Sequence, residues 1–304
     1  MSLLVVGSVA LDTIETPFGK TKEALGGSAM YFSCAASYFT DVSLVAVVGE
    51  DFPREHIDLL EKRGIDTGGI ITSPGNTFRW KGKYGYDLND AETIDTQLNV
   101  FQHFQPTLNE KQKNREFVFL ANIDPDLQKS VLQQMLQPKF IASDTMNFWI
   151  ERKNESLKSL LKGIDTLVIN EAEARQFGQE ANVFKAARKI LSWGPKALIV
   201  KRGEYGSLTF HNRSIFSAPA YPLENVFDPT GAGDSFAGGF MGFLAKSGNL
   251  DTDNIKRAVV FGSVMASFAV ETFSLERLAH LTEDQIYERY RELHNMACFE
   301  DLGD

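Results

Sequence analysis

Nine consecutive residues, Asp228-Pro229-Thr230-Gly231-Ala232-Gly233-Asp234-Ser235-Phe236, carry the densest chemistry in the chain. Two glycines flank one alanine, so the backbone can turn tightly and approach a ligand with no Cβ in the way. Ala237–Lys246 (AGGFMGFLAK) then reads as an apolar helix, stopped by Ser247-Gly248-Asn249. A helix start fed by glycines aims several unsatisfied N–H groups at one spot, where the dipole is positive. Such a spot is an anion site, with phosphate as its usual occupant. Asp234 would repel that phosphate. The conflict resolves if Asp234 takes a proton from a hydroxyl attacking phosphorus, while the amides of Gly231, Ala232 and Gly233 hold the transferring group. A plain helix start with Asp234 as a first-turn acid explains the same letters, so the remaining chain has to decide.

The chain has 304 residues, 43% hydrophobic and 23% charged, a composition typical of a globular protein in water and long enough for one large core or two modest ones. Net charge is −9 and no dense Lys/Arg block occurs, which argues against a nucleic-acid partner. Cys34 and Cys298 are far apart in sequence and make no disulfide framework; Cys34 lies in an apolar helical pattern and reads as core. The N-terminal apolar run Leu3–Leu11 stops at Asp12 without a basic flank, and Ala258–Val270 is too short to span a bilayer. These features predict no membrane association and a cytoplasmic location.

The elements that must position the glycine loop alternate between strand and helix. Leu3–Gly7 is a short buried strand with Asp12 just past its end, where open α/β sheets place ligands. No GxGxxG comes after it, so a dinucleotide fold has no direct support, and Phe18-Gly19-Lys20-Thr21 lacks the upstream glycine of a P-loop. Gly26-Gly27 open a helix over Met30–Phe39. Strand Ser43–Val48 ends in Gly49-Glu50-Asp51, and Pro53–Arg63 is helical, closed by Gly64.

Residues 68–105 break this rhythm. Thr77–Tyr86 mixes aromatic and cationic residues in alternation, and Asn99-Val100-Phe101 reads as a short strand. The rhythm returns with strand Phe117–Ala121, helix Pro125–Leu136, strand Phe140–Ser143, helix Phe148–Leu161 and strand Thr166–Ile169. Asn170 is a natural N-cap for the next helix, with Glu173 three residues on, the pattern of a capping box. Ala197–Lys201 and Ser207–Phe210 flank a glycine-containing turn and predict a hairpin. Ile255–Val270 and Glu283–Ala297 are the closing helices.

The Asp-x-Thr-Gly-Ala-Gly-Asp-Ser-Phe string closely resembles the C-terminal signature of the ribokinase-like (PfkB) carbohydrate kinases, with Pro229 where Thr is frequent. The strand-Gly7-x4-Asp12 start, Gly26-Gly27 before a helix and Val48-Gly49-x-Asp51 match that family's N-terminal half in order. Spanning nearly the whole chain, the resemblance implies an α/β fold: a ribokinase-like three-layer α/β/α sandwich with a small β-sheet lid. It further implies a single domain over 1–304, with lid strands from about 12–24 and 68–105. The implied activity is ATP-dependent phosphorylation of a hydroxymethyl group on a sugar or nucleoside, with Asp234 as base.

By the same resemblance Asp12, Gly26 and Gly27 bind substrate, joined by Tyr31 and Arg79. Met30 and Tyr31 stand where relatives often carry Asn, which detaches the substrate's identity from that of ribokinase itself. Asn170, Lys201, Gly203, Gly206 and Ser263 are the nucleotide-binding candidates. Glu173 would hold Mg²⁺ through water, which suits an ion that keeps its waters and needs few carboxylates; Asp144 and Asn147 could supplement it. Asp228 and Thr230 are candidate ligands of a monovalent cation such as K⁺, although Ser274 stands where Gly is expected. Phe78, Arg79, Trp80 and Tyr84 are the candidate lid residues, and a homodimer joined through the lids is the implied assembly.

Two other functions fit parts of the sequence. Gly233-Asp234-Ser235-Phe236-Ala237 loosely resembles the nucleophile elbow of a serine hydrolase, but an elbow comes directly after a strand and needs a histidine partner. Pro229 sits badly before such a turn, and only His280 and His294 lie downstream. A catalytically silent sugar or nucleotide sensor on the same fold is the other alternative. Asp234, Glu173 and the Gly-Ala-Gly loop together argue against it.

Overall fold

Short runs of branched and aromatic residues set the central layer of the computed structural model, which describes residues 1–298. The chain begins with β1 (Ser2–Val6), β2 (Ala10–Thr16), β3 (Gly19–Gly26), α1 (Ser28–Ala36), β4 (Asp41–Gly49) and α2 (Arg54–Lys62). Next come β5 (Asp66–Ser73), β6 (Phe78–Tyr84), β7 (Ala91–Gln97), α3 (Glu110–Lys113), β8 (Phe117–Leu120), α4 (Pro125–Gln134) and β9 (Phe140–Asp144). The third quarter gives α5 (Asn147–Arg152), α6 (Asn154–Leu161), β10 (Thr166–Asn170), α7 (Glu171–Gly178) and α8 (Val183–Leu191). The chain ends with β11 (Ala197–Lys201), β12 (Ser207–His211), β13 (Ser214–Ala218), α9 (Ala232–Ser247), α10 (Thr252–Ala269) and α11 (Glu283–Ala297).

Nine strands form one sheet in the order β13-β12-β11-β10-β9-β8-β1-β4-β5. It is parallel from β11 to β5 and antiparallel through β12 and β13. Parallel strands are covered on both faces and so read as unbroken apolar runs; Leu3–Val6 and Leu167–Ile169 have no exposed surface. One face carries a core containing Phe32, Phe240, Phe261 and Phe268, from α1, α9 and α10. The other carries Leu157, Phe177 and Ile190, from α6, α7 and α8. Helices on both faces make three layers.

β1 lies between β4 and β8, so strand order reverses there and a crevice opens at the carboxyl ends. Asp144, Asn170 and Lys201 end three adjacent strands on that rim, and register sets Asn170 beside Lys201. A separate four-stranded sheet, ordered β3-β2-β6-β7, leaves β1 through Gly7-Ser8-Val9 and returns to the core at α1.

The elements differ from the sequence expectation in several places. Asp66–Ser73 pairs with β4 as the edge of the large sheet, so from 68–105 the small sheet takes only β6 and β7. Asn99-Val100-Phe101 is a 3-10 turn, not a strand: Asn99 has φ 50° and its Nδ2 donates to the Thr77 carbonyl at 2.9 Å. The helix expected over Phe148–Leu161 breaks at Lys153 (φ −132°), whose Nζ pairs with Asp124 and Asp126 at 2.8 Å each. Strand β13 and helix α8 were not expected from the sequence.

Candidate active site

The glycine loop is a tight turn that runs straight into α9. Gly231 has φ 75° and ψ 0°, the left-handed third position of a type II turn, which the Ala232 N–H closes on the Pro229 carbonyl at 3.2 Å. A side chain at Gly231 would also run into the Tyr31 ring. The helix therefore starts at Ala232, five residues earlier than expected, and Asp234 lies in its first turn. Of the three amides expected to face an anion, Ala232 is occupied by the turn. The Gly231 and Gly233 N–H groups have no protein acceptor among the described residues.

Lys201 reaches this loop from the end of β11. A Cβ on Gly233 would stand 2.5 Å from Lys201 Nζ, so glycine there lets the ammonium approach the helix start. Burial pushes the Asp234 carboxyl up to about 6, and the Lys201 charge pulls it back. Glu173 is likewise raised by burial and lowered by Lys201. Asp144, only 4% exposed and with Oδ1 unpartnered, is raised well above the carboxylate range by burial, then by the Asp234 charge. One lysine thus balances three carboxylates from β9, α7 and α9. The Asn170–Glu173 capping box forms in both directions, with Glu173 N to Asn170 Oδ1 at 2.7 Å and Asn170 N to Glu173 Oε2 at 2.9 Å. That leaves Oε1 of Glu173 for another partner.

On the opposite side, Asp12 lies inside β2, beside Ala24 of β3 and Trp80 of β6, and not in a loop. It is 4% exposed, and burial pushes its carboxyl up to about 7. A hydrogen bond from the Gly27 N–H restrains that rise, while the Asp228 and Asp234 charges add to it. Gly26 has its Cα against the Asp12 carboxyl, and Gly27 (φ 96°) would set a Cβ 2.6 Å from the Ser8 carbonyl oxygen. Both positions need glycine so that the turn into α1 can close over Asp12. Tyr31, on α1, is 1% exposed and its hydroxyl has no partner.

Arg79 has every nitrogen engaged. Its Nε pairs with Glu23 at 3.0 Å, NH2 with Asp51 at 2.7 Å, and NH1 donates to the Thr77 carbonyl at 3.1 Å. Asp51 also accepts from Thr77 N and Oγ1, both at 2.7 Å. Arg79 is a tie between the small sheet and the end of β4, which explains Asp51 in Gly49-x-Asp51. Tyr84, expected as a lid residue, reaches further than the sequence signals: its hydroxyl accepts from Thr230 Oγ1 at 3.1 Å.

The nucleotide candidates divide into two places. Gly203 and Gly206 (φ 56° and 80°) form the turn after β11, closed by Arg202 N to the Gly206 carbonyl at 2.8 Å. Ser263 is 7% exposed within α10. The Asp228 carboxylate accepts Thr230 N at 2.9 Å and Ser274 N at 3.5 Å, and Ser274 takes the left-handed conformation (φ 58°) that favours glycine. Among the described residues no three His, Cys, Asp or Glu side chains cluster as a metal cage. Ser235 is fully buried and its Oγ pairs with nothing, histidine included, so the hydrolase alternative loses its nucleophile. No helix among the described residues is long and apolar enough to cross a membrane.

Comparison with known proteins gives a consistent result. The family described as pfkB family carbohydrate kinase matches residues 2–279. A cytidine kinase of Thermococcus kodakarensis is 29% identical over 248 residues, covering 79% of this chain and 87% of the relative. A nucleoside kinase of Methanothermobacter thermautotrophicus is 27% identical over 290 residues, covering 88% and 89%. Among solved structures, the nucleoside kinase of Burkholderia thailandensis in complex with inosine superposes with TM-score 0.81 at 18% identity, covering 96% of this chain and 99% of that one.

Proposed function

Because this chain belongs to the pfkB family of carbohydrate kinases, we propose that it transfers the γ-phosphoryl group of ATP to the hydroxymethyl group of a nucleoside, with Asp234 as the base. The observation that carries this reading is Asp234 in the first turn of α9, partly neutralised by Lys201 and adjoining the unpaired Gly231 and Gly233 amides. The acceptor hydroxyl gives its proton to the Asp234 carboxylate as its oxygen bonds to phosphorus, and the bond from phosphorus to the ADP oxygen breaks. Charge on the transferring group falls to the two amides and the Lys201 ammonium. Asp12 and the Gly26-Gly27 backbone hold the acceptor's other hydroxyls, and the small sheet excludes the water that would otherwise take the phosphoryl group.

Mg²⁺ fits the donor set: Glu173 has one oxygen outside its capping box, and a hydrated ion carried by ATP phosphates asks for little more. It would neutralise phosphate charge there. Thr230 and the Asp228 carboxylate are the candidates for a monovalent cation such as K⁺. Likeness to nucleoside kinases supports a nucleoside over a free sugar as acceptor, and likeness to a cytidine kinase makes pyrimidine nucleosides the first to try.

The test is ADP release from Mg-ATP against a panel of nucleosides, pentoses and hexoses, with and without K⁺. The expected outcome is turnover with a nucleoside, reduced by at least roughly a hundredfold in Asp234→Asn, in line with the loss of a general base. Turnover of that variant at the wild-type rate would remove Asp234 from the mechanism. ATP binding with no turnover on any acceptor would favour the sensor.

A further inference from the structure

The hairpin joining β6 to β7 crosses from the small sheet to both loops of the nucleotide side. At its start, Tyr84 is 9% exposed and bonded through its hydroxyl to Thr230. Thr230 is the second residue of the turn that presents Gly231, and its own N–H is fixed by Asp228 at 2.9 Å. At the hairpin tip, Asn89 Oδ1 lies against Gly203, where a side chain would collide with it. Behind the turn, the Tyr31 ring packs on Gly231. The turn is therefore gripped by a tyrosine from the body and a tyrosine from the small sheet. Only the second belongs to the small sheet.

We propose that Tyr84 is a positioning residue: its hydroxyl carries closure of the small sheet into the Pro229–Ala232 turn, so that the Gly231 and Gly233 amides are aligned only when the acceptor is covered. The proposal rests on the kinase reading for its purpose, but the contact itself does not. Thr230 donates to Tyr84, which leaves the Tyr84 proton for another acceptor, and the charges of Asp228, Asp12 and Asp234 all act on this phenol. A covered acceptor hydroxyl is a natural receiver for that proton. Closure without acceptor then lacks one hydrogen bond, which disfavours alignment of the amides around water alone.

Tyr84→Phe removes one oxygen and keeps the ring. Amide hydrogen exchange at Ala232 and Ser235, whose N–H groups bond to the Pro229 and Gly231 carbonyls, measured without substrate, should accelerate by roughly tenfold, the scale of one net hydrogen bond. With ATP and the best acceptor, kcat should fall by about the same factor or more while the acceptor KM changes by less than about threefold. Thr230→Val should reproduce both effects, the double variant should be no worse than either single one, and Thr230→Ser should rescue. Unchanged exchange, additive losses, or a rise confined to KM would each overturn the proposal. If the wild-type protein phosphorylates nothing in the panel, the kinase reading fails, while hydrogen exchange still decides the role of Tyr84.

Discussion

Asp234 is a buried carboxyl kept at some cost to the fold. Its carboxyl is raised from 3.8 to about 6, first by burial, with Lys201 opposing. A carboxyl whose folded pKa lies above its unfolded one binds more protons folded than unfolded between those values. Stability therefore falls as pH rises from about 4 to 6 and stays lower above. Asp234→Asn lacks that fall. Urea unfolding should find the variant more stable than wild type at pH 7.5, by ~1 kcal/mol after allowance for residual solvent contact, with the difference shrinking at pH 5. A constant difference across pH would mean that the charge is not destabilising. On the proposed role of Asp234 as base the same titration acts on turnover with the opposite sense: kcat/KM should drop as pH falls through about 6, because a base must be ionised.

The helices set the distances between these groups, and glycine sets the helix spacing. Gly238 in α9 faces α1: a Cβ there would stand 2.9 Å from that of Ala35 and meet the Phe32 carbonyl. Since α1 carries Tyr31 and is preceded by Gly27, while α9 carries Asp234, this contact fixes Tyr31 and Gly27 against Asp234. Gly238→Ala should raise helix propensity yet destabilise by ~1–3 kcal/mol through overpacking. A thermal melt that rises would refute that packing argument. Such spacing is hard to read in a sequence, although AGGF looks like a close-packing helix. What was legible was local: the glycine loop, the Asn170–Glu173 box, the strands near the chain start. Asp234 beside the loop amides can be read from six letters, but not that the Ala232 N–H is taken by the turn. Lys201 against Gly233 cannot be read so, because it depends on the end of β11 meeting the start of α9, and the ties of Arg79 to Glu23 and Asp51 are hidden likewise because those residues are distant in sequence. The 3-10 turn at Asn99 escaped for a similar reason, since its anchor is the Thr77 carbonyl.

On the scale of the whole molecule, charge decides how a nucleotide can enter. The chain carries a net charge of −9. The cleft gathers Asp12, Asp144, Glu173, Asp228 and Asp234, whose carboxyls are all raised by burial, while Lys201 is the cation acting on Asp144, Glu173 and Asp234. Even with some of these acids protonated at neutral pH, ATP bearing several negative charges would meet repulsion at the rim. Binding sites built on a dense arginine and lysine lining lose affinity as salt screens attraction. Here the requirement is for a cation that travels with the ligand. Calorimetric titration should therefore show ATP binding at least roughly tenfold weaker in chelator than with Mg²⁺, a coupling of ~1.4 kcal/mol. Without Mg²⁺, added inert salt should strengthen the residual binding by screening repulsion. Salt that weakens metal-free binding would instead mean that Lys201 and the helix dipole outweigh the five carboxyls, and that the Glu173 carboxylate has no charge-balancing task left for a metal.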